Sequence, residues 1–231
     1  MASRSYGQYC GVTTAVERVG ERWALLIVRD LLVGPRRYTD LKQGLPKIPT
    51  NILSTRLKEL QEGGVVRRVP IPRCGLVYEL TEYGRELEPI VLALGRWGFQ
   101  QMGDPGEGDI VTADSLTMAL RTAYRVDVGG SMPETTYELA VGLVTLGARV
   151  AGGALQVWQI APAAPPVGGA LPDVEPDVRI AAGPAIRRVI SGELSPDDAI
   201  AGGHVHVVDG DPALLARFAA TFHIEPGERA A

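Results

Sequence analysis

Around residue 54 the chain gathers short polar side chains and one base, Thr50, Asn51, Ser54, Thr55 and Lys58, interleaved with Leu53, Leu57 and Leu60. On a helix of about 3.6 residues per turn the three leucines form one buried stripe and Asn51, Ser54, Thr55 and Lys58 fall on the opposite side. Amides and hydroxyls of this kind donate to or accept from base edges, and cationic side chains neutralise phosphate. The chemistry indicated is non-covalent readout of duplex DNA. Thr50, Asn51, Ser54 and Thr55 are the candidates for base edges, with Thr39, Lys58, Arg67, Arg68 and Arg73 on phosphate. In isolation the same pattern also describes an ordinary solvated helix face, so the neighbouring elements decide.

Other chemistry is thinner. Cys10 is a candidate redox-sensitive thiol, with Arg4 and Arg18 as candidate neighbours that would lower its pKa; the alternative is a small buried hydrophobe. Cys10 and Cys74 are too few for a disulfide scaffold and lack metal-ligand spacing. His204 and His206 alternate as on one side of a strand, but two histidines without a third ligand make no metal site. The chain has no G-x-S-x-G, no phosphate-binding P-loop and no H-E-x-x-H. Asp197-Asp198 reads as a helix start, where negative charge is favourable. No enzyme, metal or cofactor is expected.

The elements that would position the polar helix can be traced on both sides of it. Residues 9–20 form a short helix striped by Val12, Val16 and Val19. Residues 21–35 form a stronger one with Trp23, Leu26, Ile27, Leu31 and Leu32 facing inward, ended by Gly34 and Pro35. Residues 36–45 read as a short helix with Leu41 and Leu45 buried, the first arm of a helix-turn-helix whose second arm lies in PTNILSTRLKELQEGG. Gly63-Gly64 stops that arm, and VVRRVPIPRCGLVYELT, Val65 to Thr81, reads as two strands joined by a turn and studded with arginine. Helix, glycine stop and basic ribbon in that order make a winged helix-turn-helix, with the helix in the major groove and the ribbon along phosphate. From Thr81 to Gly103, Tyr83, Leu87, Ile90, Leu94 and Trp97 recur at helical spacing, and Pro89 bends or restarts the helix. That stripe exceeds what a small domain can absorb. A homodimer through Val12, Val16, Leu87, Ile90, Leu94 and Trp97 would cover it and set two recognition helices about 34 Å apart on a pseudo-palindrome.

Composition fits a divided chain. The net charge of −4 over 231 residues conceals a split, with 15 basic against 10 acidic residues in 1–103 and 8 against 17 in 104–231. The front half can approach a polyanion and the back half cannot. Only three of the 23 basic residues are lysine, so arginine abundance reflects base composition of the gene as readily as phosphate chemistry. No N-terminal apolar run of signal type and no bilayer-length apolar stretch occur, and the expected location is the cytoplasm.

With these residues placed, Tyr9-Cys10, ERVGERWALLIVRDLLVGPRRYTDL, NILSTRLKELQEGGVVRR, VYELTEYGRELEP and the closing RWG resemble the HxlR-type winged-helix transcriptional regulators of bacteria, relatives of the MarR group. The resemblance covers about 95 residues and departs at Gly11, where the family usually has proline. It implies a DNA-binding regulator, and some regulators of this type sense oxidants through an N-terminal cysteine.

GDPGEGDIV, Gly103 to Val111, is a linker by composition. The expected division is 1–103 for DNA binding and dimerisation, 104–111 for the linker, and 112–231 for a second domain. There DSLTMALRTAY is helical, and the stretch from Thr135 alternates as strands with glycine turns, Tyr137, Leu139, Val141 and Leu143 sharing one face and Trp158 and Ile160 on a later strand. PAAPPVGGALPDVEP is a loop, followed by the strand DVRIAAG, two short helices, the strand HVHVVDG and the helix DPALLARFAATF. That order resembles the sterol carrier protein-like α+β fold, from which the AAPPVGG insertion departs. The resemblance implies a cavity for a small apolar or amphipathic ligand, with Leu139, Val141, Leu143, Trp158, Ile160, Phe218 and Phe222 as candidate lining or else as core packing. Two alternatives stay open: release of DNA on Cys10 oxidation with a tail that binds no ligand, or a DNA-tethered lipid-transfer or enzymatic module.

Overall fold

The computed structural model describes residues 5–72, 75–161 and 171–227. The chain forms two compact units, Met1–Val91 and Leu92–Ala231. Arg4, Arg73, Cys74, Arg229 and the AAPPVGG insertion lie outside the described residues.

The first unit runs α1 (Gly11–Val19), α2 (Ala24–Val33), α3 (Tyr38–Gly44), α4 (Thr50–Glu62), β1 (Val66–Ile71), β2 (Gly75–Leu80) and α5 (Glu82–Arg85). Its core joins Ile27, Val28 and Leu31 of α2 to Leu41 of α3 and to Leu53, Leu57 and Leu60 of α4. In α2 the inward face differs from the one expected. Trp23 precedes the helix in the left-handed region at φ 80°, so the first turn begins at Ala24. Ala24, Ile27, Val28 and Leu31 then repeat at i, i+3, i+4 and i+7 and are buried, whereas Leu26 is turned out and 39% exposed. Trp23 stays half-buried at the edge of the core.

The end of α4 is fixed by backbone chemistry. The Gly64 N–H donates to Gln61 O at 3.0 Å and the Val65 N–H to Leu60 O at 2.9 Å, while Gly64 takes φ +72°. This is a Schellman stop, completed by apolar contact of Val65 and Leu60 in the core. Thr81 then ties the wing to the stop, donating from Oγ1 to Gly64 O at 2.6 Å and accepting from the Gly84 N–H at 3.0 Å.

β1 and β2 pair antiparallel from Val66↔Leu80 to Ile71↔Gly75, and Arg36 bridges to Tyr78 on the other side of β2. β1 is therefore the edge, where Pro70 can sit without interrupting a ladder. Pro89 restarts the chain as expected: α5 ends and α6 (Glu88–Phe99) begins with the proline in its first turn. The boundary between the two units falls within α6.

The second unit contains α7 (Ala113–Ala123), α8 (Val126–Gly129), β3 (Thr135–Val141), β4 (Val144–Ala151), β5 (Ala154–Ala161), β6 (Val178–Ala182), α9 (Ile186–Ile190), α10 (Pro196–Ala201), β7 (Val205–Gly210) and α11 (Ala213–Thr221). The five-stranded mixed sheet has the order β5-β4-β3-β6-β7, with β3 and β6 parallel and the other neighbours antiparallel. One face carries Tyr137, Leu139, Leu146, Ala148, Val178 and Ile180 and packs with Leu116 and Leu120 of α7 and Phe218 of α11. Tyr137, Phe218 and Phe222 form an aromatic cluster with ring centroids 4.7 to 6.0 Å apart. Leu143 does not share that face: it sits with Gly142 in the β3–β4 turn and is 88% exposed, because the alternation ends where the hairpin reverses. His204 likewise precedes β7, and only His206 lies on the strand.

Candidate nucleic-acid interface

The polar face of α4 is built from below and from its N-terminal end. Leu53, Leu57 and Leu60 are buried against the core, which turns Thr50, Asn51, Ser54 and Lys58 outward, with Thr55 half-buried. Tyr38, the first residue of α3, donates from its hydroxyl to Thr50 O at 2.8 Å. The Ser54 hydroxyl is directed to Tyr38 Oη at 3.2 Å and Thr50 O at 3.1 Å, and Thr55 Oγ1 donates to Asn51 O at 2.9 Å. Since each hydroxyl has one proton and directs it inward, Ser54 and Thr55 offer lone pairs to an incoming base. Among the described residues nothing engages the Asn51 side chain, which leaves an outward amide donor and carbonyl acceptor, a pair able to match adenine N7 and N6.

The other side of α4 is clamped by arginine. Arg56 Nε donates to Arg22 O at 3.2 Å, and its guanidinium pairs with Glu21 at 2.8 Å and with Glu59. Arg18 Nη1 donates to Gly63 O at 2.8 Å and lies over the Tyr83 ring.

The structure separates the basic residues that the sequence groups. Arg67 and Arg68 are adjacent on β1 and so point to opposite faces of the ribbon. Arg67 faces Glu79 directly across the strands and pairs with it at 2.6 Å; Arg68 faces Tyr78 and stacks over its ring at 5.7 Å. Among the described residues Arg68 thus has no carboxylate paired with it, whereas Arg67 is already matched by Glu79. Among the described residues Lys58 has only a long contact of 3.7 Å to Glu62. Thr39 is exposed near the start of α3, with its hydroxyl toward Asp40 at 3.4 Å. Sequence reasoning missed Tyr38 as the residue that positions α4, and passed over Arg37 and Lys47, both exposed beside the N-terminal ends of α3 and α4. The signal for Lys47 was its place in the Pro46 to Pro49 turn that delivers the chain into α4.

Cys10 is exposed at the N-terminal end of α1 and is no core residue. The backbone N–H of Thr13, then that of Val12, with a smaller contribution from the Thr13 hydroxyl, hold its thiol below the ordinary cysteine value. The cause is the helix end and not the expected Arg18, which occupies the last turn of α1 and is engaged with Gly63.

Of the dimerisation candidates, Val12, Val16, Ile90, Leu94 and Trp97 are exposed, Trp97 by 71%, while Leu87 is packed at the edge of the first unit's core.

The candidate ligand residues divide into three groups. Leu139, Val141, Phe218 and Phe222 are at most 2% exposed and belong to the core between sheet and helices. Leu143 is in the turn already described. Trp158 and Ile160 point to the opposite face of the sheet, where they line a cavity of about 190 Å³ with Glu138, Leu171 and Pro172 among others. Among the described residues no group of three or more His, Cys, Asp or Glu side chains could hold a metal, and no helix is long and apolar enough to cross a membrane.

A buried helix-turn-helix core, an outward polar second helix and an arginine-bearing ribbon define the first unit as a winged helix-turn-helix domain. Residues 18–105 match the HxlR-like helix-turn-helix family. The chain is 40% identical over 85 residues to the uncharacterized HTH-type transcriptional regulator YvaP of Bacillus subtilis, covering 36% of this chain and 79% of that protein. It is 35% identical over 94 residues to YdeP of the same organism, also named an uncharacterized HTH-type transcriptional regulator, covering 38% and 71%. A solved structure of the redox regulator HypR in its oxidized form is similar over 41% of this chain and 99% of that one, at 30% identity and a TM-score of 0.39. This chain belongs to the HxlR-like helix-turn-helix family of transcriptional regulators.

Proposed function

We propose that the protein is a homodimeric, DNA-binding transcription factor that reads a pseudo-palindromic operator through α4 and adjusts its affinity in response to a small molecule bound by residues 112–231. The observation that carries this reading is the outward face of α4, where Asn51, Ser54 and Lys58 are exposed while Tyr38 and Arg56 hold the helix by its backbone and its rear. In this reading Thr50, Asn51, Ser54 and Thr55 meet base edges. Thr39, Lys58, Arg68 and Arg73, joined by Arg37 and Lys47, meet phosphate, and Arg67 contributes after leaving Glu79. Residues 1–103 bind DNA and dimerise, 104–111 link, and the protein works in the cytoplasm.

Dimerisation is supported by apolar side chains that the monomer leaves uncovered, Val12 and Val16 on α1 and Ile90, Leu94 and Trp97 on α6. A sterol carrier protein-like tail is supported by the order of the five strands and by helices packed on one sheet face. Ligand control requires different affinity for the DNA-competent and incompetent arrangements, and a coupling of about 1–3 kcal/mol changes operator affinity roughly 5- to 150-fold. A footprint on the promoter of the protein's own gene tests the reading. Protection of two half-sites about 34 Å apart is expected; protection of one half-site, or none, contradicts it.

One observation favours a second trigger. The Cys10 thiol is exposed and acidified by the first turn of α1, and its oxidation by an external oxidant would drive release of the protein from DNA. A Cys10→Ser protein that still releases DNA with oxidant would eliminate this trigger.

A further inference from the structure

The sheet face opposite the helices holds a site that the core-facing residues do not. Strand register sets Trp158, Gly147, Glu138, Arg179 and Asp209 in one row across β5, β4, β3, β6 and β7. Trp158 and Glu138 are two strand spacings apart, about 10 Å, with glycine between them. The indole fills the space over that glycine: a Cβ on Gly147 would lie 2.1 Å from Trp158 Cε2. Trp158 therefore leans across β4 toward Glu138 with its ring against the sheet.

Glu138 is poorly matched by its own neighbours. Arg179 turns Nη1 to Asp209 at 2.5 Å and Nη2 to Glu175 at 3.1 Å, leaving Nε at 3.7 Å from the Glu138 carboxylate. Among the described residues the Glu138 carboxylate has no hydrogen bond and no closer cation. Among the described residues it is the one charged side chain lining the cavity of about 190 Å³, whose other walls include Trp158, Ile160, Leu171, Pro172 and Pro176. The wall formed by 171–176 is tethered at its end by Asp177, which accepts from the Thr136 N–H at 2.7 Å and donates its own N–H to Thr136 O at 2.8 Å.

An indole face beside an underpaired carboxylate, walled by proline and aliphatic carbon, is complementary to one chemistry. We propose that this cavity binds a flat organic cation, its ring against Trp158 and its charge beside Glu138. Both contacts favour positive charge, the indole through its quadrupole and the carboxylate directly. The site rests on the ligand-responsive reading above and gives it a ligand class and a place.

The test is calorimetric titration of the full-length protein, without DNA, with 1-methylquinolinium chloride and with uncharged quinoline at neutral pH. One-site binding of the cation is expected, with quinoline weaker by about tenfold or more. Glu138→Gln should remove that preference and leave quinoline binding unchanged. Gly147→Ala should weaken both compounds by forcing the indole off the sheet; circular dichroism checks its fold, and the half-exposed Glu138→Gln carries the test if it does not fold. Absence of cation binding, equal binding of the two compounds, or a preference that survives Glu138→Gln would overturn the proposal. Cation binding that leaves operator affinity unchanged would contradict the regulatory reading while leaving this site intact.

Discussion

At the residue scale, the hydroxyl and amide groups of α4 differ in what they have left to offer. Ser54 and Thr55 direct their protons into the helix, so in the proposed interface they would select for donors on the DNA, while the Asn51 side chain has no hydrogen-bond partner among the described residues. Asn51→Ala should cost about 1–3 kcal/mol at one adenine per half-site and relax specificity there alone, read by binding to a panel of single-substituted duplexes. An equal loss on every duplex would make Asn51 a phosphate contact instead. Tyr38→Phe keeps the ring but deletes the donor to Thr50 O, and should lower stability by about 0.5–1.5 kcal/mol in urea unfolding. For Cys10 the direction of the pKa shift fixes the sign. A depressed folded value means the thiolate stabilises the fold above the ordinary thiol pKa, and this contribution is lost as pH falls through the folded value. Iodoacetamide should alkylate Cys10 at a lower midpoint pH in the folded protein than in urea; coincident midpoints would remove the helix-end effect.

At the scale of elements, the placement of α4 depends on how it stops. Gly64 at φ +72° and Gly84, where an added Cβ would lie 2.1 Å from Val65 O, hold stop and wing together through Thr81. Gly64→Ala should cost roughly 1–2 kcal/mol from its left-handed backbone alone. Gly84→Ala meets backbone that cannot swing aside and should cost about 1–3 kcal/mol, in the range of overpacking. Thermal denaturation monitored by circular dichroism measures both, and an unchanged Gly84→Ala would show that the junction relaxes freely. Here the sequence was most readable. The leucine stripe of α4, the double glycine and the arginine ribbon are local signals, and each forms the element its spacing indicates. The misread positions have local causes too. No Ser, Thr, Asp or Asn caps α2, so nothing local in the sequence marks its start at Ala24 or turns Leu26 outward. Leu143 continues an apolar alternation through a hairpin reversal that nothing but Gly142 marks. The Trp158, Gly147 and Glu138 row joins three strands by register, which spacing along one strand does not encode.

At the scale of the whole molecule, charge and apolar surface are divided between the parts of the chain. The excess of base lies in residues 1–103 and the excess of acid in 104–231, so attraction to DNA must be local to the first unit. In the proposed dimer the exposed Leu94 and Trp97 meet the partner. Leu94→Glu should shift the protein toward monomer in sedimentation, and with it abolish the cooperative two-half-site footprint; a variant that remains fully dimeric would place the interface elsewhere. The central claim, that α4 enters a duplex groove with the arginine ribbon beside it, is tested most directly by the salt dependence of binding. Fluorescence anisotropy with the duplex from the protein's own promoter, across a salt series, should give a linear fall of log affinity with log salt. In the Lys58→Ala, Arg68→Ala double variant the slope should shrink by about two units per protomer bound, roughly one for each lost phosphate contact. A duplex affinity that is insensitive to salt, or a double variant with the same affinity and slope as the parent, would contradict the account.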